Sequence, residues 1–176
     1  MKSSIVGRSS IIVGGALFVS LLGGCVDASE ESADTSDKTQ LTSGSGAVGT
    51  ILAVGSLGNA EVEIKAGGHV AKIEGPTTLT QQEIVIQPGG HTGWHSHGGL
   101  ALVTVAAGTL TLFDDHDPCH GTAYPTGTAF LDPGSNHVHI ARNLGTTPVT
   151  VRVQYINRTG TAIRIDKPAP AGSEGC

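Results

Sequence analysis

The sequence predicts an all-β fold, a small barrel or sandwich of short antiparallel strands, and three observations carry that expectation. The chain has 26 glycines among 176 residues, against three Phe, two Tyr and one Trp, a composition suited to many tight turns and poorly suited to packed helices. Apolar and polar residues alternate with the period of a half-buried strand in Glu61 to Lys65, Gln82 to Gln87, Leu110 to Phe113 and, most plainly, Val149 to Tyr155. No stretch beyond residue 48 keeps a 3.6-residue period over three turns. A chain of this length buries one good core and hardly two, so a single folded domain is expected.

At the N-terminus, Lys2 and Arg8 precede an apolar run from Ile11 to Leu22. That run is shorter than the roughly 20 residues of a membrane span and has the length of a signal-peptide core. It ends in Leu22-Gly23-Gly24-Cys25, which resembles a bacterial lipobox; the resemblance implies cleavage before Cys25 and lipid on its thiol. A cleaved leader followed by an incidental cysteine, or an uncleaved anchor, is the alternative. Residues 1–24 are therefore expected as a leader and 25–47 as a disordered tether, in which Asp27, Glu30, Glu31, Asp34 and Asp37 face one base, Lys38, among Ser, Thr and Gly. The folded domain is expected over 48–176, extracytoplasmic and attached to a bacterial membrane by lipid. Its strands should be separated at Gly67-Gly68, Gly75-Pro76, Pro88-Gly89-Gly90 and Pro133-Gly134. The formal net charge is -5, the wrong sign for a phosphate-backbone partner, so no nucleic acid is expected.

The chemistry lies in the histidines. Of eight, four form two H-x-H pairs, His95-Ser96-His97 and His137-Val138-His139. In a strand, residues i and i+2 point to one face about 7 Å apart, so each pair can offer two imidazoles to a single point. A divalent ion held at about 2.0–2.2 Å needs such convergence from neighbouring strands. Each pair also follows a Pro-Gly turn.

These residues resemble the cupin superfamily. Gly89, five residues, His95-Ser96-His97 and then Gly108 are similar to the first cupin motif; Gly127, five residues, Pro133 and then His139-Ile140-Ala141-Arg142-Asn143 are similar to the second, with 18 residues between Gly108 and Gly127 for the variable hairpin. The stretch from His137 to Gly145 also looks like a secreted bacterial cupin subgroup of unsettled activity. The resemblance implies a double-stranded β-helix barrel (a small jelly roll), a metal near its mouth bound by residues of both motifs, and pairing into homodimers. It puts His95 and His97 among the ligands. In the second motif, counting back from Asn143 selects His139, whereas counting forward from Pro133-Gly134 selects His137; His139 is favoured, with His137 as a support or fourth ligand. Two departures stand out. Ala101 and Leu102 occupy the positions where the first motif usually carries a glutamate, and Ser135 stands where the second usually has glycine. Three neutral imidazoles without that carboxylate leave the charge of the ion uncompensated, which favours a small anionic ligand. Iron, manganese, zinc, nickel and copper all suit such donors.

Several other residues read more simply as structure. His91 and Trp94 approach the first pair, but a lone tryptophan beside a turn usually packs. Asp114-Asp115-His116-Asp117-Pro118 has the composition of a cation loop without calcium-loop spacing, so a solvated hairpin tip is expected. Tyr124 has no spacing that ties it to the site. Three cysteines are present; with Cys25 acylated, Cys119 and Cys176 remain as a disulfide pair in an oxidising compartment. Metal ligation by these thiols is the weaker rival, since neither lies in a C-x-x-C. Three function classes follow: a metal-dependent oxygenase or isomerase acting on a small anionic molecule, a non-catalytic module holding a metal or small ligand, and a structural lipoprotein with an empty barrel. No general base is identifiable, since Glu83 should point away from the buried Ile84 and Ile86.

Overall fold

The computed structural model describes residues 43–176; the leader, Cys25 and most of the expected tether lie outside the described residues. Ten strands follow in order: β1 (Ser45–Ala66), β2 (His69–His91), β3 (His95–Ser96), β4 (Leu100–Ala107), β5 (Thr109–Asp114), β6 (Thr122–Pro125), β7 (Ala129–Asp132), β8 (His139–Arg142), β9 (Val149–Arg158) and β10 (Ile165–Asp166). Among the described residues there is no helix. All pairings are antiparallel, in two five-stranded layers, β1-β2-β9-β4-β7 and β6-β5-β8-β3-β10, joined where His91 of β2 pairs with Arg142 of β8. The all-β barrel expected from the alternation is what forms.

The alternation in β9 shows why. Val149, Val151, Val153 and Tyr155 are buried while Thr150, Arg152 and Gln154 face outward or lie half-buried, so one side of the strand supplies core and the other solvent contact. With Ile86, Ala101, Val103, Val105, Leu110 and Ala141 they make the main core between the layers. Full burial of each large aliphatic chain there contributes about 1.5–3 kcal/mol. A second cluster, Ala71, Ile73, Leu100, Leu131 and Ile156, forms where the tip of the β1–β2 hairpin packs on one end of the barrel.

Not every predicted break is a break. Gly67 (φ 58°) and Gly68 (φ 82°) form the two-residue turn between β1 and β2, and positive φ at both positions matches the twist of the flanking strands. The chain does not leave the ladder at Gly75-Pro76, which pair with Ala60 and Asn59, and at Pro88-Gly89-Gly90 the pairing skips from Ile86 to His91 across a bulge. The expected breaks are therefore bends within one long strand. β1 itself starts at Ser45, ahead of the boundary expected at Val48.

The acidic loop after β5 is a turn, as its composition suggests: Asp114 Oδ1 accepts the backbone N–H groups of His116 (2.9 Å) and Asp117 (3.0 Å). Cys119 in this loop is joined to Cys176 by a disulfide with a Cα–Cα distance of 5.3 Å. The bond ties down a C-terminal segment that runs beside β3 and reaches the histidine cluster.

Candidate metal centre

Two of the three clustered histidines meet through strand register. His95 in β3 and His139 in β8 are direct cross-strand partners, and their ring centroids lie 4.4 Å apart. His97, two residues on from His95, shares its face, with centroids 4.9 Å from His95 and 5.1 Å from His139. All three are buried, at 4–5% exposure, and one ligand atom from each lies within 4.8 Å of the others.

Hydrogen bonds decide which nitrogen faces the common point. His95 Nδ1 donates to Gly93 O at 2.8 Å and His97 Nδ1 to Ile163 O at 2.5 Å. His139 Nδ1 lies 2.9 Å from Asp132 Oδ2 and 3.3 Å from His137 O. With Nδ1 engaged on each ring, Nε2 is the nitrogen left with a lone pair to offer. Burial, reinforced by His139 and His97, pushes the His95 pKa down to about 2; burial and then His139 push His97 down to about 4. Both rings stay neutral at ordinary pH, which is the ligating form. Three neutral imidazoles with a fixed tautomer are a donor set for a borderline divalent ion, and the residues present fit one.

A carboxylate that the sequence does not mark completes the cluster. Asp132, the last residue of β7, is 1% exposed. Its Oδ1 accepts the Gly134 N–H at 2.6 Å, and its Oδ2 faces His139 and, at 3.3 Å, His137 Nδ1. Burial pushes its pKa up, but the hydrogen bonds from His137 and His139 outweigh this and hold the carboxyl well below the usual range. Asp132 is the cross-strand neighbour of Ala101, one of the positions where the first motif usually carries its glutamate. The expectation of an uncompensated ion is thereby corrected: one negative charge stands behind His139. In sequence, Asp132 before Pro133-Gly134 reads as an ordinary turn residue, and nothing local sets it apart.

The structure places His139, and not His137, in one group with His95 and His97. Gly134 (φ 71°) lies so close to the Gly99 backbone that a side chain there has no room, and Ser135 takes φ 59°, the left-handed conformation that glycine enters freely. A turn closed by His137 N–H to Gly134 O (3.2 Å) follows, so β8 begins only at His139. His137 stays half-buried outside the strand and groups with Asp132 and His139, not with His95 and His97. Its hydrogen bond to Asp132 raises its pKa, and its ring lies 6.0 Å from that of His69.

The remaining candidates make contacts of their own. His91 Nδ1 accepts the Gly93 N–H at 3.1 Å, and Trp94 packs with Phe113 and Ile140. Tyr124 stacks on Phe130 at 4.4 Å. Glu83 pairs with Arg152 at 2.7 Å and does not line the chamber. Behind the triad lies a small, largely apolar chamber of about 40 Å³, bounded by Ile84, Leu110, Phe130, Val151 and Val153 among others.

No protein-family model matches the chain, and no curated protein matches it. Solved structures do. A cupin domain from Bordetella pertussis Tohama I is 20% identical, with 64% of this chain and 94% of that chain covered at a TM-score of 0.44. A Cupin_2 domain of an XRE-family transcriptional regulator from Enterobacter cloacae is 19% identical over 45% of this chain and 80% of that one, with a TM-score of 0.38. A mutant of oxalate decarboxylase from Bacillus subtilis is 14% identical over 50% and 23% of the two chains, with a TM-score of 0.43.

Proposed function

We propose that the chain is a cupin-type protein that binds one divalent transition metal (iron, manganese, zinc, nickel or copper) through His95, His97 and His139 and presents it to a small anionic molecule outside the cytoplasm. The observation that carries this reading is the three buried imidazoles, each with Nδ1 set against an oxygen acceptor. Asp132 stands behind His139 as the carboxylate of a carboxylate–histidine–metal arrangement, orienting the ring and raising its basicity. When bound, the ion supplies a Lewis acid or a redox centre, the chemistry of an oxygenase or isomerase. The chain's own part is to hold the rings neutral, fix their tautomer and back the site with apolar side chains. A non-catalytic binding module is the second reading, favoured by one observation: the carboxylate lining the inner chamber is Asp132, and both its oxygens are engaged.

Elemental analysis of the full-length chain, reconstituted with each of the five ions in turn, should find about one equivalent in wild type and nearly none after His95→Ala plus His97→Ala. Wild-type stoichiometry near zero for every ion overturns the reading. The proposed location rests on the leader pattern and Cys25, with 25–47 as the spacer. A radiolabelled fatty acid should enter the wild-type chain and not Cys25→Ser; equal label in both, or in neither, removes the anchor.

A further inference from the structure

Two of the three clustered histidines, His95 and His97, also line a cleft of about 360 Å³, more polar in its lining than the apolar chamber that all three border. Its lining includes His95, His97, Gln82 and Tyr155, and on the side of the C-terminal segment Ile163, Arg164 and Asp166. Arg164 is the cation among these lining residues. Two of its five N–H donors hold it in place: Nε donates to Asp166 Oδ1 at 2.6 Å and Nη2 to Thr92 O at 2.7 Å. The side chain remains 34% exposed. Position is set by main-chain bonds as well, because Ile165 and Asp166 pair with Ser96 and His95 in the β10–β3 ladder and Lys167 N–H reaches Trp94 O at 2.9 Å. A guanidinium fixed at one edge and open to the cleft is preorganised for an anion, since little side-chain freedom is lost when the ligand arrives.

The same lining carries a neutral polar pair. Tyr155 Oη donates to Gln82 Oε1 at 3.0 Å, which orients the Gln82 amide with its nitrogen lying over Gly49. Asp166 already engages the Nε side of Arg164, so an incoming acid meets the Nη side. Planar carboxylates suit that edge.

From this arrangement we infer that the cleft selects a small carboxylate, and that Arg164 is the residue that reads its charge. The inference deepens the proposed function and rests on it for the role of the triad. It also supplies what that reading lacks, because Asp132 offsets part of the charge of a bound ion and a preference for anions then needs a second source. The contact with Arg164 does not itself require the metal.

The test titrates benzoate and its neutral analogue benzamide by calorimetry into full-length wild type, Arg164→Gln and Arg164→Lys, each stripped of metal and each reconstituted, with metal content measured separately. Wild type should bind benzoate at least about tenfold more tightly than Arg164→Gln, a difference ordinary for the loss of a hydrogen bond between charged groups. Benzamide should not distinguish the two chains, and Arg164→Lys should keep a preference for benzoate over benzamide. Equal benzoate affinity in wild type and Arg164→Gln, an equal loss of benzamide binding, or no benzoate binding to wild type each overturns the inference. Absence of metal from wild type would instead remove the metal reading, and the benzoate comparison on stripped chains would still stand.

Discussion

Asp132→Asn lowers the affinity of the chain for a divalent ion by about 10–100-fold, the usual effect of removing a carboxylate that orients a ligating histidine. The carboxylate accepts on both sides, from the Gly134 N–H at 2.6 Å and from the direction of His139 Nδ1 at 2.9 Å. An amide has one acceptor and one donor end. Whichever way the substituted side chain turns, its NH₂ faces either the Gly134 N–H or the imidazole Nδ1–H, and the second clash drives the proton to Nε2, the nitrogen needed for ligation. The fold loses about 1–3 kcal/mol as well, because a buried donor is left without its partner. The pH dependence follows from the same group. Its folded pKa is depressed, so its contribution is present above the unfolded value of about 3.9 and disappears as pH falls toward the folded value. The variant lacks that acid limb. Competition against a chromophoric chelator measures the affinity and acid titration of the metal-free chain measures the limb. Wild-type affinity within twofold in Asp132→Asn shows that the carboxylate does not support the site.

How far the sequence leads depends on whether a signal is local. Val149 to Tyr155 is legible because a buried face with period two is written in adjacent residues, and His95 with His97 is legible for the same geometric reason. Counting from Asn143 finds His139, the histidine that lies with His95 and His97. Asn143 is buried and its Nδ2 donates to Ile86 O at 2.9 Å and Thr147 O at 2.8 Å, so it is a fixed point at the end of β8. The count from Pro133-Gly134 reaches His137, which stays outside β8 because the turn through Ser135 takes up residues before that strand starts. Gly75 and Gly89 mislead in the other direction, since a glycine with positive φ can bend a paired strand without ending it. Asp132 is hidden by its likeness to a turn former. Ile163 and Arg164 carry no signal, because their partners His97 and Thr92 lie 66 and 72 residues away and no periodicity reports a contact over that distance.

Removing the disulfide with Cys119→Ser plus Cys176→Ser costs roughly 4 kcal/mol, the chain-entropy value for closing a loop of this span. The bridged residues are 57 apart in sequence, so the oxidised unfolded chain is denied much of the freedom that the reduced chain has. Native contacts then decide how much of that difference appears. Cys176 O accepts Arg142 Nη1 at 2.6 Å, and the guanidinium of Arg142 lies 5.0 Å from the centroid of Phe113, so the chain end is also held by contacts other than the covalent bond. The segment it terminates holds two members of the triad, His95 and His97: Gly98 N–H donates to Ala162 O at 3.1 Å, His97 donates to Ile163 O, and β10 pairs with β3. Loosening the end should therefore weaken metal binding as well as stability, the former less, because these bonds persist in the folded serine variant. Denaturant unfolding of oxidised wild type against the serine pair, with chelator competition on both, separates the two effects. Coincident unfolding midpoints would mean that the C-terminal segment is held by its hydrogen bonds alone and that the covalent link adds nothing to them.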